Sequence, residues 1–432
     1  MTDIYEIAEY TLEALKKSGA DAAQCIVSKS KKDELNVDGG KFSLMRSTFN
    51  TSISMKAIKD GKKGVTSINQ ATKEAIDEAA DQCISAAQSS VPDEAEQIAP
   101  FTAKAEYNTG VFEPELDKLF DRIEEFMSQT AAEYPKIILE QLISDYEHSE
   151  KLYMNTNGTS LKYEHGEYSF NTMFSAHEGE KASSFNGYFC ALDSLDKPFM
   201  DAGMQRQLLA ESEKQLDTVS PSEKFVGRVI YSPDCFNELL QTALENFASS
   251  GVLIDGTSPW KDALNTKVAS EKLNLRSVPL DGRTVVGQRF TSDGYPVEDM
   301  DIIIDGVLKT FILSQYGANK TGFPRSLNSG NNLEVLPGDK ALEEMISGID
   351  RGLIVNRFSG GQPSSNGDFS GVAKNSFLIE NGKVVSAVSE TMISGNIIDM
   401  LNNIVAVSKE RTTDGLSFMP WAEFDGVTVS GK

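Results

Sequence analysis

The chain has 432 residues, 40% of them hydrophobic and 22 of them Phe, with 41 Lys plus Arg against 64 Asp plus Glu and a formal net charge of −23. It is long and apolar enough for two or three domains with proper cores, and too apolar to stay disordered. The acidity opposes phosphate backbones, whose binding draws on clustered Lys and Arg, and no basic run exceeds a pair such as Lys31-Lys32; nucleic acid is not expected as a partner. The spacing of Ile4, Ile7, Ala8, Thr11, Leu12 and Leu15 predicts a first helix, with Asp3 and Glu6 as a capping box and Gly19 as its stop. Ile53, Met55 and Ala57 alternate with polar residues, Asp60-Gly61 starts a turn, and residues 65–68 continue as strand. Ile76, Ala79, Ala80, Cys83 and Ala87 share one face of a helix over about 72–88. Residues 91–107 read as a polar connector containing Pro92 and Pro100.

A third helix starts near Pro114, with Leu116, Leu119, Phe120, Ile123, Phe126 and Met127 as its stripe. Residues 137–192 read as mostly strand, with a type I′ hairpin at Asn157-Gly158 and a polar helix after it near 201–216. Residues 219–224 are the best domain boundary: polar, with Pro221, between a helix and a strand. Ser232-Pro233 then reads as an N-cap and first helical residue, opening a helix to about Ser249. Asp305-Gly306, Asn381-Gly382 and Asp425-Gly426 each lie between apolar strands and predict hairpins. The fold class is α+β: an N-terminal mixed helix/strand region followed by a large antiparallel β-rich C-terminal domain. The expected divisions are 1–90, 108–217 and 225–432.

Most chemical motifs fail on inspection. His148, His165 and His177 are the only imidazoles, and Cys25, Cys83, Cys190 and Cys235 show no CxxC spacing. His177-Glu178 lacks the second His that a zinc protease helix needs, and all three His read as surface residues. Glu298, Asp299, Asp301 and Asp305 sit on an alternating strand that would splay them apart. Gly426 to Lys432 spells GxxxxGK without the Ser or Thr and the helix of a phosphate loop. No run approaches the roughly 20 apolar residues of a membrane span, and the acidic start lacks a secretion signal. A cytoplasmic protein without a membrane partner is the expectation.

One stretch remains, 358–371, with Gly360, Gly361, Asn366, Asp368 and Ser370 among its small and polar residues. Its backbone can line a cleft or pair with an extended peptide. A second small-residue turn, Ser394-Gly395-Asn396, precedes a helix whose free N–H groups either cap a carboxylate or are capped by the chain itself. These eight residues are the candidate peptide contacts; no catalytic and no metal-binding residue is assigned.

Asn366-Gly367-Asp368-Phe369-Ser370, the run from Phe377 to Lys383, Ser394-Gly395-Asn396 and the run from Met400 to Ile404 together resemble the C-terminal domain of the TldD/PmbA family. Asp305 to Leu308 with Ser314-Gln315-Tyr316 matches the part before it, and Val37 to Lys41 with Lys59 to Gly64 is similar to the family's N-terminal domain. The resemblance covers nearly the whole chain in order. It implies one of two forms. TldD-like members resemble metallopeptidases with an HExxxH helix and a C-terminal Cys ligand. PmbA/TldE-like members lack these and pair with TldD, in a complex implicated in microcin maturation and antitoxin breakdown. The family also carries the name modulator of DNA gyrase.

The metal helix of that family is expected at about 235–249, which holds no His, and Cys235 is the last Cys in the chain. The resemblance therefore implies a PmbA/TldE-like partner subunit of a metallopeptidase pair. It binds no cofactor itself, zinc belongs to a TldD-like partner, and the chain positions an extended peptide for proteolysis. The alternative is a stand-alone homodimeric binding or scaffold protein without peptidase activity.

Overall fold

The protein is described by a computed structural model covering residues 2–431. Helix α1, Ile4–Lys17, begins where the Asp3 carboxylate accepts from the Glu6 N–H at 2.9 Å. It ends before Gly19, whose φ of +107° suits glycine. Strands β1 (Ala22–Asp38), β2 (Lys41–Lys59) and β3 (Lys62–Ile68) follow, then α2 (Lys73–Ser89), β4 (Lys104–Gly110), α3 (Leu116–Glu133), β5 (Ile137–Asn155) and β6 (Ser160–Glu178). They form one sheet in the order β3-β2-β1-β5-β6-β4, with strand Asn186–Leu192 also on β6.

All its pairings are antiparallel except β4 with β6. The expected connector at 91–107 thus ends inside a strand. The segments 1–90 and 108–217 share this sheet, because β1 pairs with β5 from Gln24↔Asn155 to Asp38↔Gln141.

Side-chain alternation gives the sheet two faces. On one face, Cys25 and Val27 pack under α1 and α2 together with Ile53, Cys83 and Leu152. Further along the same face, Leu35 and Val37 pack under α3 with Phe126 and Phe170. That second core also takes in Ile230, Ile379 and Trp421 from the C-terminal half, so the two halves are joined by shared apolar burial. Helix α4, Gln205–Lys214, adds Leu208 and Leu209 to it.

The C-terminal sheet has 14 strands. At its centre runs the strand Phe418–Ser430, which pairs with Phe225–Tyr231, Thr391–Asn396 and Ile404–Thr413. The sheet is mainly antiparallel, with parallel contacts of Phe225–Tyr231 to Arg351–Val355, of Leu333–Val335 to the central strand, and of Thr218–Val219 to Lys383–Val388. Helix α5, Pro233–Phe247, buries Phe236, Leu240 and Phe247 against it. Among the described residues no helix is long and apolar enough to cross a membrane.

Several local expectations need correction. Asp305-Gly306 and Asn381-Gly382 have positive φ at both residues and turn their hairpins. Asp425-Gly426 does not turn: it lies within the strand Phe418–Ser430, where Gly227 faces Val427 and Val229 faces Phe424. It is a β-bulge, with Gly426 at φ +80°. Asn157-Gly158 does join β5 to β6, but only Gly158 has positive φ. The Asn155 side chain instead accepts from the N–H groups of Asn157 and Thr159, which sets a longer loop. His165 is no surface residue. It is 2% exposed, and its Nδ1 lies 2.7 Å from the Thr109 hydroxyl on β4. The GxxxxGK stretch is mostly terminal strand, and its Lys432 lies outside the described residues.

Candidate functional site

Helix α5 organises the site. Ser232 caps it, accepting from the Cys235 N–H, and donates its own hydroxyl to the Asn356 carbonyl at 3.1 Å. Pro233 supplies a preset φ at the first helical position. With Cys235, Phe236, Leu239 and Leu240 turned toward the sheet, the polar residues Asp234, Asn237, Glu238, Gln241 and Thr242 are left for the other side.

Three cavities meet this helix. The first, of about 250 Å³, lies between α5 and the hairpin 357–374, with Glu238 and Thr242 on one wall and Phe358, Gly360 and Gly361 on the other. The second, about 420 Å³, lies where α5 faces the first sheet, between Asp234 and Glu238 on one side and Gln141, Asn171 and Asn186 on the other. The third, about 720 Å³, is bounded by Asn237 and Gln241, by the open face of the first sheet and by residues 286–290. Clefts of this size suit a ligand rather than a few waters.

Two carboxylates of α5 have raised pKa values. Asp234 is pushed up to about 6, first by the surrounding protein and then by Asp414. Glu238 is also raised by loss of water, with Arg357 opposing. Both side chains are exposed where they open onto the cavity between α5 and the first sheet, although surrounding protein displaces much of the water around them. Burial also holds the Cys235 thiol well above its ordinary value, so it is inert as a nucleophile.

The expected peptide contacts are brought together. Segment 358–371 is mainly a hairpin of strands Arg357–Gly360 and Asp368–Lys374, with Gly360 opposite Gly371. Ser394-Gly395-Asn396 is strand rather than turn and lies beside it: Asp368 faces Asn396, and Ser370 faces Ser394. Gly360 and Gly361 line the first cavity. Asn366, Asp368 and Asn396 hydrogen-bond to one another at the hairpin tip. The Asn396 side chain also accepts from the N–H groups of Ile398 and Asp399, so the helix Ile397–Asn402 is capped internally. Strand Arg357–Gly360 pairs on one side only, which leaves a sheet edge beside the cavity.

The donor set around α5 does not fit a zinc centre. No imidazole lines any of the three cavities. Among the described residues no group of three or more His, Cys, Asp or Glu side chains is placed to hold a metal ion. His148 contacts Glu164 at 3.0 Å and His177 contacts Ser175 at 2.9 Å, both on the first sheet. One signal in the sequence points to the helix all the same. Asn237-Glu238-Leu239-Leu240-Gln241-Thr242 keeps the HExxxH spacing with an amide and a hydroxyl in place of the two imidazoles. A search keyed to His passes over it, and over Asp234 about one turn earlier.

A family model described as the PmbA/TldA metallopeptidase C-terminal domain matches residues 224–431, and one described as PmbA/TldA metallopeptidase domain 1 matches residues 23–87. The Metalloprotease PmbA of Escherichia coli O157:H7 is 32% identical over 155 residues, 35% of this chain and 34% of its own. Metalloprotease MJ0996 of Methanocaldococcus jannaschii is 27% identical over 206 residues, 44% of each chain. The matched regions thus span about a third to a half of these relatives' length. The crystal structure of TldE from Thermococcus kodakarensis superimposes with a TM-score of 0.84 at 22% identity, covering 98% of this chain and 100% of that one, and so shares its fold.

Proposed function

Because the chain belongs to the TldD/PmbA family, we propose that it is a PmbA/TldE-like subunit of a cytoplasmic metallopeptidase pair, which holds an extended peptide and positions it for a zinc-bearing TldD-like partner. The observation that carries the reading is the make-up of α5. Its cavity-facing side offers Asp234, Asn237, Glu238 and Thr242 but no imidazole, so this chain contributes walls and hydrogen-bonding groups rather than a metal. The unpaired edge of Arg357–Gly360, backed by small residues, supplies backbone N–H and C=O groups to which a peptide strand can add. Gly361, next to that edge, has open space on its Cβ side, while the Phe358 ring lies over Gly360.

The test is reconstitution. The purified chain, alone and mixed with a TldD-like protein from the same source, is incubated with unfolded peptides, and zinc content is measured in each preparation. Cleavage confined to the mixture, with no stoichiometric zinc in this chain, is the expected result. Chelator-sensitive cleavage by this chain alone would overturn it. A second reading, a homodimer without peptidase activity, draws on the first part of β2, which extends beyond its pairing with β3 and where Met45 is 73% and Phe49 is 74% exposed. Self-association in sedimentation together with failure to bind the TldD-like protein would favour it.

A further inference from the structure

We propose that Lys151, on the floor of the third cavity, is a carboxylate-binding residue, and that peptide ligands of this chain are anchored there through a carboxylate. The proposal rests on the peptide-binding reading above and adds the class of ligand.

The floor is built by strand register. Ser28 of β1 faces Ser52 of β2 and Lys151 of β5; one row along, Ser30 faces Asn50 and Ser149. Alternation therefore places four serine hydroxyls, one amide and one ammonium on a single open face. Among the described residues none of these hydroxyls makes a hydrogen bond within the protein, so their donors face the cavity space.

Lys151 is the unbalanced charge in this set. No carboxylate pairs with it among the described residues, and burial alone pushes its ammonium below the ordinary lysine value. The acids nearby are committed elsewhere. Glu147 pairs with Lys32 at 3.0 Å, and Glu150 with Lys162 at 3.0 Å. The Asp414 carboxylate accepts from the N–H groups of Leu416 and Ser417. Phe290 lies 5.8 Å from the Lys151 nitrogen, and Arg289 stands over the Tyr163 ring beside it.

A half-buried lysine without a counter-ion is costly unless a ligand supplies one. One ammonium with adjacent hydroxyls matches the two acceptor oxygens of a carboxylate; the other cations bordering the cavity, Arg289 and Lys29, already donate to the Pro279 and Thr2 carbonyls. Because Asn237 and Gln241 of α5 form another wall, a peptide fixed here runs along the helix that borders the first two cavities.

The experiment uses the full-length chain and fluorescence anisotropy with N-terminally labelled pentapeptides: an alanine peptide with a free C-terminus, its C-terminal amide, and that amide carrying one Glu. Wild type is expected to bind a carboxylate-bearing peptide about 10-fold or more tightly than the plain amide. Whichever of the first and third peptides wins identifies the source of the carboxylate. Lys151→Met should abolish the preference and Lys151→Arg should retain it, with thermal melts confirming that both variants fold. Equal binding of acid and amide overturns the anchor while leaving peptide binding intact, as does a preference that survives Lys151→Met. Lys151-dependent binding of N-acetylglycine without any peptide binding keeps the anchor and overturns the peptide reading. No binding of any probe overturns both.

Discussion

The Asn396 side-chain amide donates to Asp368 Oδ1 at 2.9 Å, while its oxygen accepts from the Ile398 N–H at 2.9 Å. One residue thus caps the helix Ile397–Asn402 and locks the tip of the hairpin beside the first cavity. The Asp368 carboxyl is held below its ordinary value, first by Asn396 and then by Asn366. Asn396→Ala removes both functions and is expected to cost about 1 kcal/mol from the cap, read by denaturant unfolding. Asn396→Asp keeps a capping oxygen but sets a carboxylate against Asp368. It should therefore spare the helix while raising amide hydrogen exchange at Gly367 and Asp368. If both variants loosen the hairpin tip and the helix to the same degree, the two functions are not separable as described.

Gly360 and Gly371 face each other across the hairpin, and the Phe358 ring lies over both. A Cβ on Gly360 would come within 2.5 Å of that ring, and one on Gly371 within 2.4 Å. Phe358 lines the first cavity, so alanine at either glycine should drive the ring outward from its seat and into the cleft. Gly371→Ala is expected to destabilise by about 1–3 kcal/mol through overpacking and to weaken binding of an extended peptide. Gly361→Ala meets no atom within 4 Å and should leave stability unchanged. A Gly371→Ala protein as stable as wild type would show that the ring has somewhere else to go.

The contrast among the Asx-Gly pairs shows which parts of the fold were legible in the sequence. Asp305-Gly306, Asn381-Gly382 and Asp425-Gly426 carry the same local signal, and Gly takes positive φ in all three. Two become hairpin turns because the strands on either side pair with each other. The third becomes a bulge because its flanking residues both pair with Phe225–Tyr231, some 200 positions away, and that partnership leaves no local trace. His165 follows the same logic. Its neighbours in sequence are polar, but the parallel pairing of β4 with β6 brings Thr109 and Gly110 over it. The candidate peptide segments were legible because small residues cluster in the chain itself. Asp234, Glu238 and Lys151 were not, since each matters only through what a distant element leaves unpaired.

Glu334 is 4% exposed, and one of its oxygens accepts from Arg411 at 2.8 Å and Arg283 at 2.9 Å. These bonds tie the strand Leu333–Val335 to the strand Ile404–Thr413 and to the loop that precedes the third cavity. Glu334→Ala leaves two guanidinium groups without their shared acceptor. The expected loss is about 2–3 kcal/mol, below the full range for a buried pair, because Arg283 remains half-exposed to water. Guanidinium chloride unfolding checks it. A loss under about 0.5 kcal/mol would assign the cluster to the weak class of surface ion pairs.

Asp234 sets two effects against each other. It sits in the first turn of α5, where the helix dipole favours a negative charge. Loss of water and the nearby Asp414 nonetheless push its pKa from the ordinary 3.8 up to about 6. The loss of water wins, although the side chain itself is exposed to the cavity, because no cation answers the charge: Arg357 borders the same cavity but acts on Glu238. A carboxyl whose pKa is higher in the folded state binds more protons folded than unfolded between those two values. Its contribution to stability therefore falls as pH rises from about 4 to about 6, and the penalty persists at pH 7. Asp234→Asn should raise stability at pH 7 relative to wild type and leave it nearly unchanged at pH 4. The difference between the two unfolding free energies should grow through the same window. Asp414→Asn, which removes the second cause, should shift the midpoint of that growth to lower pH without abolishing it. Denaturant titrations of the three proteins from pH 4 to pH 8 measure this directly. An Asp234→Asn difference that is flat with pH would mean that the carboxylate already finds a partner the fold does not show.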